Sequence, residues 1–167
     1  NKLRTKQDLV RLVGKNLEAD STKLLALLND NNFLAQYGLD SNTAMAAVLP
    51  DTYEFWWNTG AEKVYGKLAK YHTDYWTEER KQKAAAKNLT PQQAVTLASI
   101  VDEETNKNDE KGNMASVYLN RLKTGMPLQA DPTVKFAVGD FTIRRIGGVH
   151  LQNPSPYNTY KYKGLPP

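Results

Sequence analysis

Three consecutive acidic side chains, Asp102, Glu103 and Glu104, lie in a segment whose pattern is typical of a helix. Successive helical residues are turned by about 100°, so Glu104 falls within roughly 20° of Leu97 and follows Val101 by one turn. Glu104 therefore extends the apolar stripe, whereas its two acidic neighbours point away from it. Partial desolvation and the negative end of the helix dipole both raise the pKa of such a carboxyl group, as general acid catalysis requires. The alternative is a boundary acid that reaches solvent or bonds a neighbouring backbone group.

Polar and aromatic residues further along the chain are candidates for substrate contacts. They lie on the next predicted helix, on a segment where a predicted strand meets a turn, and after two closely spaced prolines. Segments of this kind often carry binding residues, although each residue taken singly is also typical of ordinary loop and cap chemistry. The candidates are Asn120, Arg121, Gln129, Asp131, Thr133, Tyr157, Asn158 and Tyr160.

The elements that position these residues have local start and stop signals. Segment 90–105 opens with a threonine N-cap, Pro91 in the first turn and Gln93 as a capping-box partner, and it predicts a helix. A second helix is predicted over about 110–124. Alternating apolar and polar residues at 128–131, ended by a proline, predict a strand.

The first half of the sequence is predicted to be mostly helical. Capping residues predict short helices that begin at Thr5, near Asp20 and at about Asn32, and a capping-box pattern at Thr59 opens a longer one. The aromatic-rich stretch 52–57 has the composition of a strand.

These elements together predict an α+β protein in two parts. Residues 1–88 form a mostly helical accessory part that includes the long helix. Residues 89–167 form a mixed helix and strand part that carries the candidate acid. The boundary is placed at Asn88 and Leu89, where the long helical pattern ends.

The composition excludes several classes of function. With 40% hydrophobic and 24% charged residues among 167, the chain resembles an ordinary globular protein. Its net charge of +4 is spread without a dense basic cluster, which disfavours nucleic acid and suits an anionic polymer. There are no cysteines, and His72 and His150 lack ligand spacing, so neither a metal nor another cofactor is expected. No apolar run approaches the ~20 residues of a membrane span.

Several motifs occur in an order that closely resembles the YceG-like family of endolytic murein transglycosylases. The likeness is strong from Thr90 to Pro167 and weaker over the first half. It departs from the family at Asp102, Glu103 and Ala130, where Glu, Lys and Thr are usual, and residues 141–152 match poorly. The motifs are Leu97–Thr105, Asn120–Leu122, Gly125-Met126, Leu128–Val134, Ser155–Tyr160 and Gly164–Pro167, with Leu49–Glu54 in the first half.

The resemblance implies a lyase that acts on peptidoglycan. The family's catalytic glutamate precedes a threonine in its motif and matches Glu104 here. The resemblance also implies a bacterial inner-membrane protein with a single-pass N-terminal anchor, a LysM-like accessory subdomain and a periplasmic catalytic part that continues beyond Pro167. Glycan strands are the expected substrate and peptidoglycan synthases are expected partners.

The implied reaction cleaves the β-1,4 bond between N-acetylmuramic acid and N-acetylglucosamine without water and leaves 1,6-anhydromuramoyl ends. One rival is a hydrolase that uses Glu104 with Asp131, since paired carboxylates about 5–9.5 Å apart serve hydrolysis. Another rival is a non-catalytic wall-binding module with a sugar platform built from aromatic residues: Trp56, Trp57, Tyr157 and Tyr160. If the two tryptophans lie on a strand they point to opposite faces, so one of them is expected in the core.

Overall fold

The computed structural model describes residues 2–167, and every regular element in that range is a helix. No strand occurs between residues 2 and 167, so the predicted α+β class is wrong. The helices are α1 Lys6–Asn16, α2 Ser21–Leu27, α3 Asn31–Ala35, a 3₁₀ helix Ala44–Ala47, α4 Ala61–Tyr75, α5 Glu78–Ala85, α6 Pro91–Glu104, α7 Asn108–Lys123, α8 Asp131–Val138 and α9 Gly148–Leu151.

The chain divides into two compact units, one extending to Lys81 and the other running from Gln82 to Pro167. The dividing point lies within α5. Each unit has a hydrophobic core of its own. No helix in the described range combines the length and the apolar composition that crossing a bilayer would need.

The first unit packs α1, α2, α4 and the 3₁₀ helix around one core. Thr5 closes the predicted capping box with Asp8, and Asp20 is the N-cap of α2, the helix predicted to begin near it. The capping box predicted at Thr59 is wrong, because Gly60 is the N-cap of α4 and supplies no side-chain bond. The fully buried Tyr65 donates a 3.0 Å hydrogen bond to the carbonyl of Ala44 and so ties α4 to the 3₁₀ helix.

The predicted strand at 52–57 is wrong, because this segment has no regular secondary structure and enters a turn at Trp57. Its aromatic composition favours a strand, but the segment has no ladder partner and its side chains serve packing and the surface. Tyr53 and Phe55 pack against the first core. Trp56 and Trp57 are 82% and 62% exposed, so the expectation that one of them lies in the core is also wrong.

The second unit is built on α6 and α7, and both helices lie within two residues of their predicted bounds. Thr90 and Gln93 close the predicted capping box at the start of α6. The core between the two helices contains six buried residues, Leu97, Ile100, Val101, Tyr118, Leu128 and Ala130.

The strand predicted at 128–131 is wrong, because a helix begins at Asp131 and Pro132 lies inside it rather than ending a strand. The proline occupies the first turn of α8, where its missing N–H costs no hydrogen bond. The alternation that suggested a strand reflects burial of Leu128 and Ala130 on either side of the exposed Gln129. The backbone N–H of Gln129 donates to the Thr159 carbonyl at 3.0 Å, in place of a strand ladder.

Candidate active site

Glu104 is the last residue of α6, one turn beyond the buried Ile100 and Val101. The chain turns extended at Thr105, whose N–H still donates to the Val101 carbonyl at 3.3 Å. The helix therefore holds the carboxyl group at its C-terminal end. Glu104 as a whole is exposed, so its carboxyl group is accessible from solvent.

Three polar contacts hold the turn that follows Glu104 and join α6 to α7. The Thr105 hydroxyl donates to the Glu110 carboxylate at 2.9 Å, and Lys107 contacts the same carboxylate at 2.8 Å. Lys111 on α7 pairs with Asp102 on α6 at 2.7 Å. Asp102 thus joins two helices, whereas Glu104 has different neighbours.

Tyr118 on α7 hydrogen-bonds the Glu104 carboxylate through its hydroxyl group. The tyrosine is only 4% exposed and belongs to the core between α6 and α7. Its burial, followed by the negative charge of Glu104, raises the pKa of Tyr118, so the phenol stays protonated and acts as a donor. The ring is fixed by packing, and its hydroxyl therefore orients the carboxylate.

The pKa of Glu104 is raised above its ordinary value. Partial desolvation is the largest cause, and the negative charge of Asp131 acts in the same direction. The hydrogen bond from Tyr118 and the positive charge of Lys135 oppose it. The raised pKa confirms the direction that the position of Glu104 on its helix predicted. A carboxyl group in this state can donate a proton nearer neutral pH than an ordinary glutamate.

Asp131, the first residue of α8, is held by a tyrosine from the C-terminal segment. The Tyr160 hydroxyl donates to the Asp131 carboxylate at 2.6 Å. Burial and this carboxylate raise the pKa of Tyr160 to about 12. Asp131 is thus a carboxylate that accepts a hydrogen bond from a phenol and acts electrostatically on Glu104.

Arg121 contacts backbone rather than a carboxylate. Its guanidinium donates a hydrogen bond to the carbonyl of Leu128, and this bond fixes the segment between α7 and α8. Asp131 accepts its hydrogen bond from Tyr160 instead. Gln129, in the fixed segment, has a positive φ of 52° and an exposed side chain. Such a backbone is uncommon outside glycine and is enriched at functional sites.

The remaining predicted residues lie in other surroundings. Thr133 is buried and donates to the Ala130 carbonyl at 2.7 Å. Asn158 is fully buried and its amide donates to the carbonyls of Leu151 and Asn153, each at 2.9 Å. Through these bonds both residues stabilise the local backbone.

Tyr157 packs against an aromatic ring, and Asn120 lies on the surface. The Tyr157 ring packs against Phe136 on α8 with 4.7 Å between centroids. Asn120 is an exposed residue of α7. The group of residues that shifts the pKa of Glu104 consists of Tyr118, Asp131 and Lys135. Of the predicted residues, Asp131 belongs to this group. Tyr160 interacts electrostatically with Asp131, Glu104 and Arg121.

Two members of this group, Tyr118 and Lys135, were missed by sequence reasoning. Tyr118 falls on the apolar stripe of α7, where a tyrosine is usually assigned to the core. A buried tyrosine hydroxyl nevertheless needs a hydrogen-bond partner, and that requirement could have indicated a polar group on the facing helix. Lys135 gave no signal, because α8 was not predicted as a helix.

Comparison with known proteins extends over the whole chain. The profile of the YceG-like family matches residues 1–167. A Bacillus subtilis (strain 168) protein named endolytic murein transglycosylase is 37% identical over 123 residues, which are 72% of this chain and 33% of that protein. A Streptococcus pneumoniae protein of the same name is 35% identical over 86 residues, which are 49% of this chain and 16% of that protein.

A solved structure has the same fold. The crystal structure of a yceG-like protein from Listeria monocytogenes matches 96% of this chain and 57% of that chain, with a TM-score of 0.78 and 27% identity. The present chain thus spans about a third or less of these two curated relatives. Because the family profile matches throughout, this chain belongs to the YceG-like family.

Proposed function

We propose that this chain supplies the acid/base centre of an endolytic peptidoglycan lytic transglycosylase, a lyase, with Glu104 as the catalytic residue. One observation carries the proposal: a solvent-accessible carboxyl group with a raised pKa is oriented by a buried tyrosine. The names of the Bacillus and Streptococcus relatives support the choice of reaction.

A single carboxyl group is sufficient for this reaction. Protonated Glu104 donates its proton to the glycosidic oxygen as the bond from that oxygen to C1 of the muramoyl residue breaks. The resulting carboxylate accepts the proton of the muramoyl 6-hydroxyl as O6 forms a bond to C1. The product is a 1,6-anhydromuramoyl end, Glu104 is protonated again, and no water is consumed.

The neighbours of Glu104 suit both half-steps. Desolvation and Asp131 favour the neutral acid that must donate first, while Tyr118 and Lys135 favour the carboxylate that must accept afterwards. Arg121 fixes the segment that carries the exposed Gln129, and we propose that Gln129, Asp131 and Tyr160 face the glycan strand.

The wider setting belongs to the same proposal and is supported by the sequence resemblance. Residues 89–167 carry the catalytic role, and residues 1–88 form a LysM-like accessory part. The complete protein acts in the periplasm from a single-pass anchor in the inner membrane, beside peptidoglycan synthases.

The proposal is tested with Glu104→Gln in the full-length protein, incubated with uncrosslinked glycan strands. Loss of general acid/base catalysis lowers rates by about 10²–10⁴-fold, and the loss here should reach the upper end because one residue serves both steps. Glu103→Gln is the matched control and should keep its activity. Mass spectrometry of the products reports 1,6-anhydromuramoyl ends at internal cleavage positions.

Two results would contradict the proposal. An active Glu104→Gln variant would show that Glu104 is not the acid/base. Reducing muramoyl ends as the main product would identify a hydrolase and would make Asp131 the second carboxylate.

A further inference from the structure

The first unit exposes adjacent aromatic side chains just before α4. Trp56 is 82% exposed and Trp57 is 62% exposed. The backbone beneath them is held, because the Trp56 carbonyl accepts from the N–H and the hydroxyl of Thr59, at 3.0 and 2.6 Å, and the Trp57 carbonyl accepts from the Glu18 N–H at 2.7 Å. Exposed tryptophans on a fixed backbone form an apolar surface of the kind that marks binding sites.

Two grooves adjoin Trp56, with volumes of about 440 and 510 Å³. Trp56, Thr59 and Lys63 line both of them, and Trp57 lines neither. Volumes of this size suit a small ligand or one or two sugar rings. The other lining residues are Lys23, Asn58, Gly60, Ala61 and Glu62 in the first groove, and Glu54, Phe55 and Lys67 in the second.

The lysines of the two grooves differ in what they contact. Lys23 pairs with Glu62 at 3.0 Å. Lys67 donates to a backbone carbonyl and lies 5.0 Å from the centre of the Phe55 ring. Lys63 makes no ion pair within residues 2–167, and it is exposed in both grooves. Its ammonium group is therefore available to a carboxylate or an amide carbonyl of a ligand.

A saccharide matches this combination of groups. A pyranose ring has one apolar C–H face, which suits the electron-rich face of an indole, and a rim of hydroxyls that both donate and accept hydrogen bonds. Glu54, Glu62 and Asn58 provide acceptors for such a rim, and Lys63 and Asn58 provide donors. An anionic lipid surface fits less well, since Glu54 and Glu62 offset two of the three lysines and leave little net positive charge.

We propose that Trp56 and its two grooves form a glycan-binding subsite for strands of N-acetylated amino sugars that carry carboxylates. The indole of Trp56 stacks on a sugar ring, and Lys63 contacts a carboxylate or an N-acetyl carbonyl. The choice of N-acetylated sugars rests on the proposed function. The subsite itself rests on the geometry of the first unit.

The test measures binding of uncrosslinked peptidoglycan glycan strands by calorimetry, using full-length protein with Glu104→Gln to prevent cleavage. Trp56→Ala should weaken binding by about tenfold or more, as loss of an aromatic anchor does at other interfaces. Trp56→Tyr keeps an aromatic face and should recover most of the affinity. Trp57→Ala is the matched control, because it removes an exposed tryptophan from the same segment but outside both grooves, and it should bind as the parent does.

Equal affinity of Trp56→Ala and the parent, or no binding by the parent, would overturn the subsite. Equal losses in Trp56→Ala and Trp57→Ala would also overturn it, by indicating a general apolar patch. If Trp56→Ala lost binding to vesicles of anionic lipid but bound glycan strands as the parent does, the surface would be assigned to a membrane instead. Each of these results leaves the products formed by the active protein unaffected, so the subsite and the proposed function fail separately.

Discussion

At the scale of single residues, opposing influences act on one carboxyl group. Desolvation and Asp131 raise the pKa of Glu104, whereas Tyr118 and Lys135 lower it. The proposed reaction requires Glu104 to donate a proton and then to accept one, and the two sets of neighbours favour its neutral and its ionised form respectively. The buried phenol of Tyr118 provides the contact that both orients the carboxylate and limits the rise of its pKa.

Tyr118→Phe should raise the pKa of Glu104 further. The substitution keeps the ring in the core but removes a donor that favours the ionised carboxylate. Carboxyl NMR of Glu104 against pH measures the change, and the falling alkaline limb of activity should move to higher pH with it. Tyr162→Phe is the control, since this exposed tyrosine bonds the Pro154 carbonyl at 3.1 Å. An unchanged Glu104 titration in Tyr118→Phe would exclude the positioning role.

At the scale of elements, the sequence correctly predicted the features that depend on interactions between residues close together in the chain. The capping boxes at Thr5 and Thr90 fix where α1 and α6 begin, because their partners lie three residues away. The direction of the Glu104 pKa shift followed from one helix and its apolar stripe. These features depend on few residues, so the sequence alone was enough.

The features that the sequence did not predict depend on distant partners. A strand requires a neighbouring strand, and nothing within 128–131 reveals that its backbone bonds Thr159 instead. The pairing of Asp131 with Tyr160 joins residues 29 positions apart. Tyr118 looked like a core residue and is one, but its hydroxyl faces Glu104. Each error arose where tertiary structure overrode a local pattern.

The bonds of Thr159 should be necessary for the stability of the second unit. Its buried hydroxyl accepts from the Ala130 N–H at 3.1 Å and lies 2.8 Å from the Thr133 hydroxyl. Thr159→Val keeps the shape but leaves the buried N–H without an acceptor, at a cost of about 1–3 kcal/mol in the free energy of unfolding. Urea unfolding followed by far-UV circular dichroism measures this loss. Thr142→Val, at an exposed position, should cost much less, and equal losses would contradict the argument.

At the scale of the whole molecule, two cores support different parts of the proposed function. The first unit presents Trp56 of the proposed subsite and the second contains Glu104. The net charge of +4 favours encounter with an anionic glycan, and added salt screens that attraction. A carboxyl group with a raised pKa also affects the stability of the molecule that holds it, because folding then depends on its protonation.

That dependence gives Glu104→Gln a defined effect on stability as pH changes. The folded-state pKa of Glu104 lies above its unfolded value, so its contribution to stability is complete below the unfolded pKa of about 4.3 and is lost as pH rises through the folded pKa. Relative to the parent, Glu104→Gln should therefore become more stable as pH rises through that window.

Glu110 has the opposite shift, because Lys107 and then Thr105 lower its pKa. Its contribution is present above the unfolded pKa and is lost as pH falls through the folded pKa, so Glu110→Gln should lose relative stability as pH rises. Urea unfolding of the three proteins across this range measures both slopes, and slopes of the same sign would show that the environment of Glu104 does not disfavour its charge.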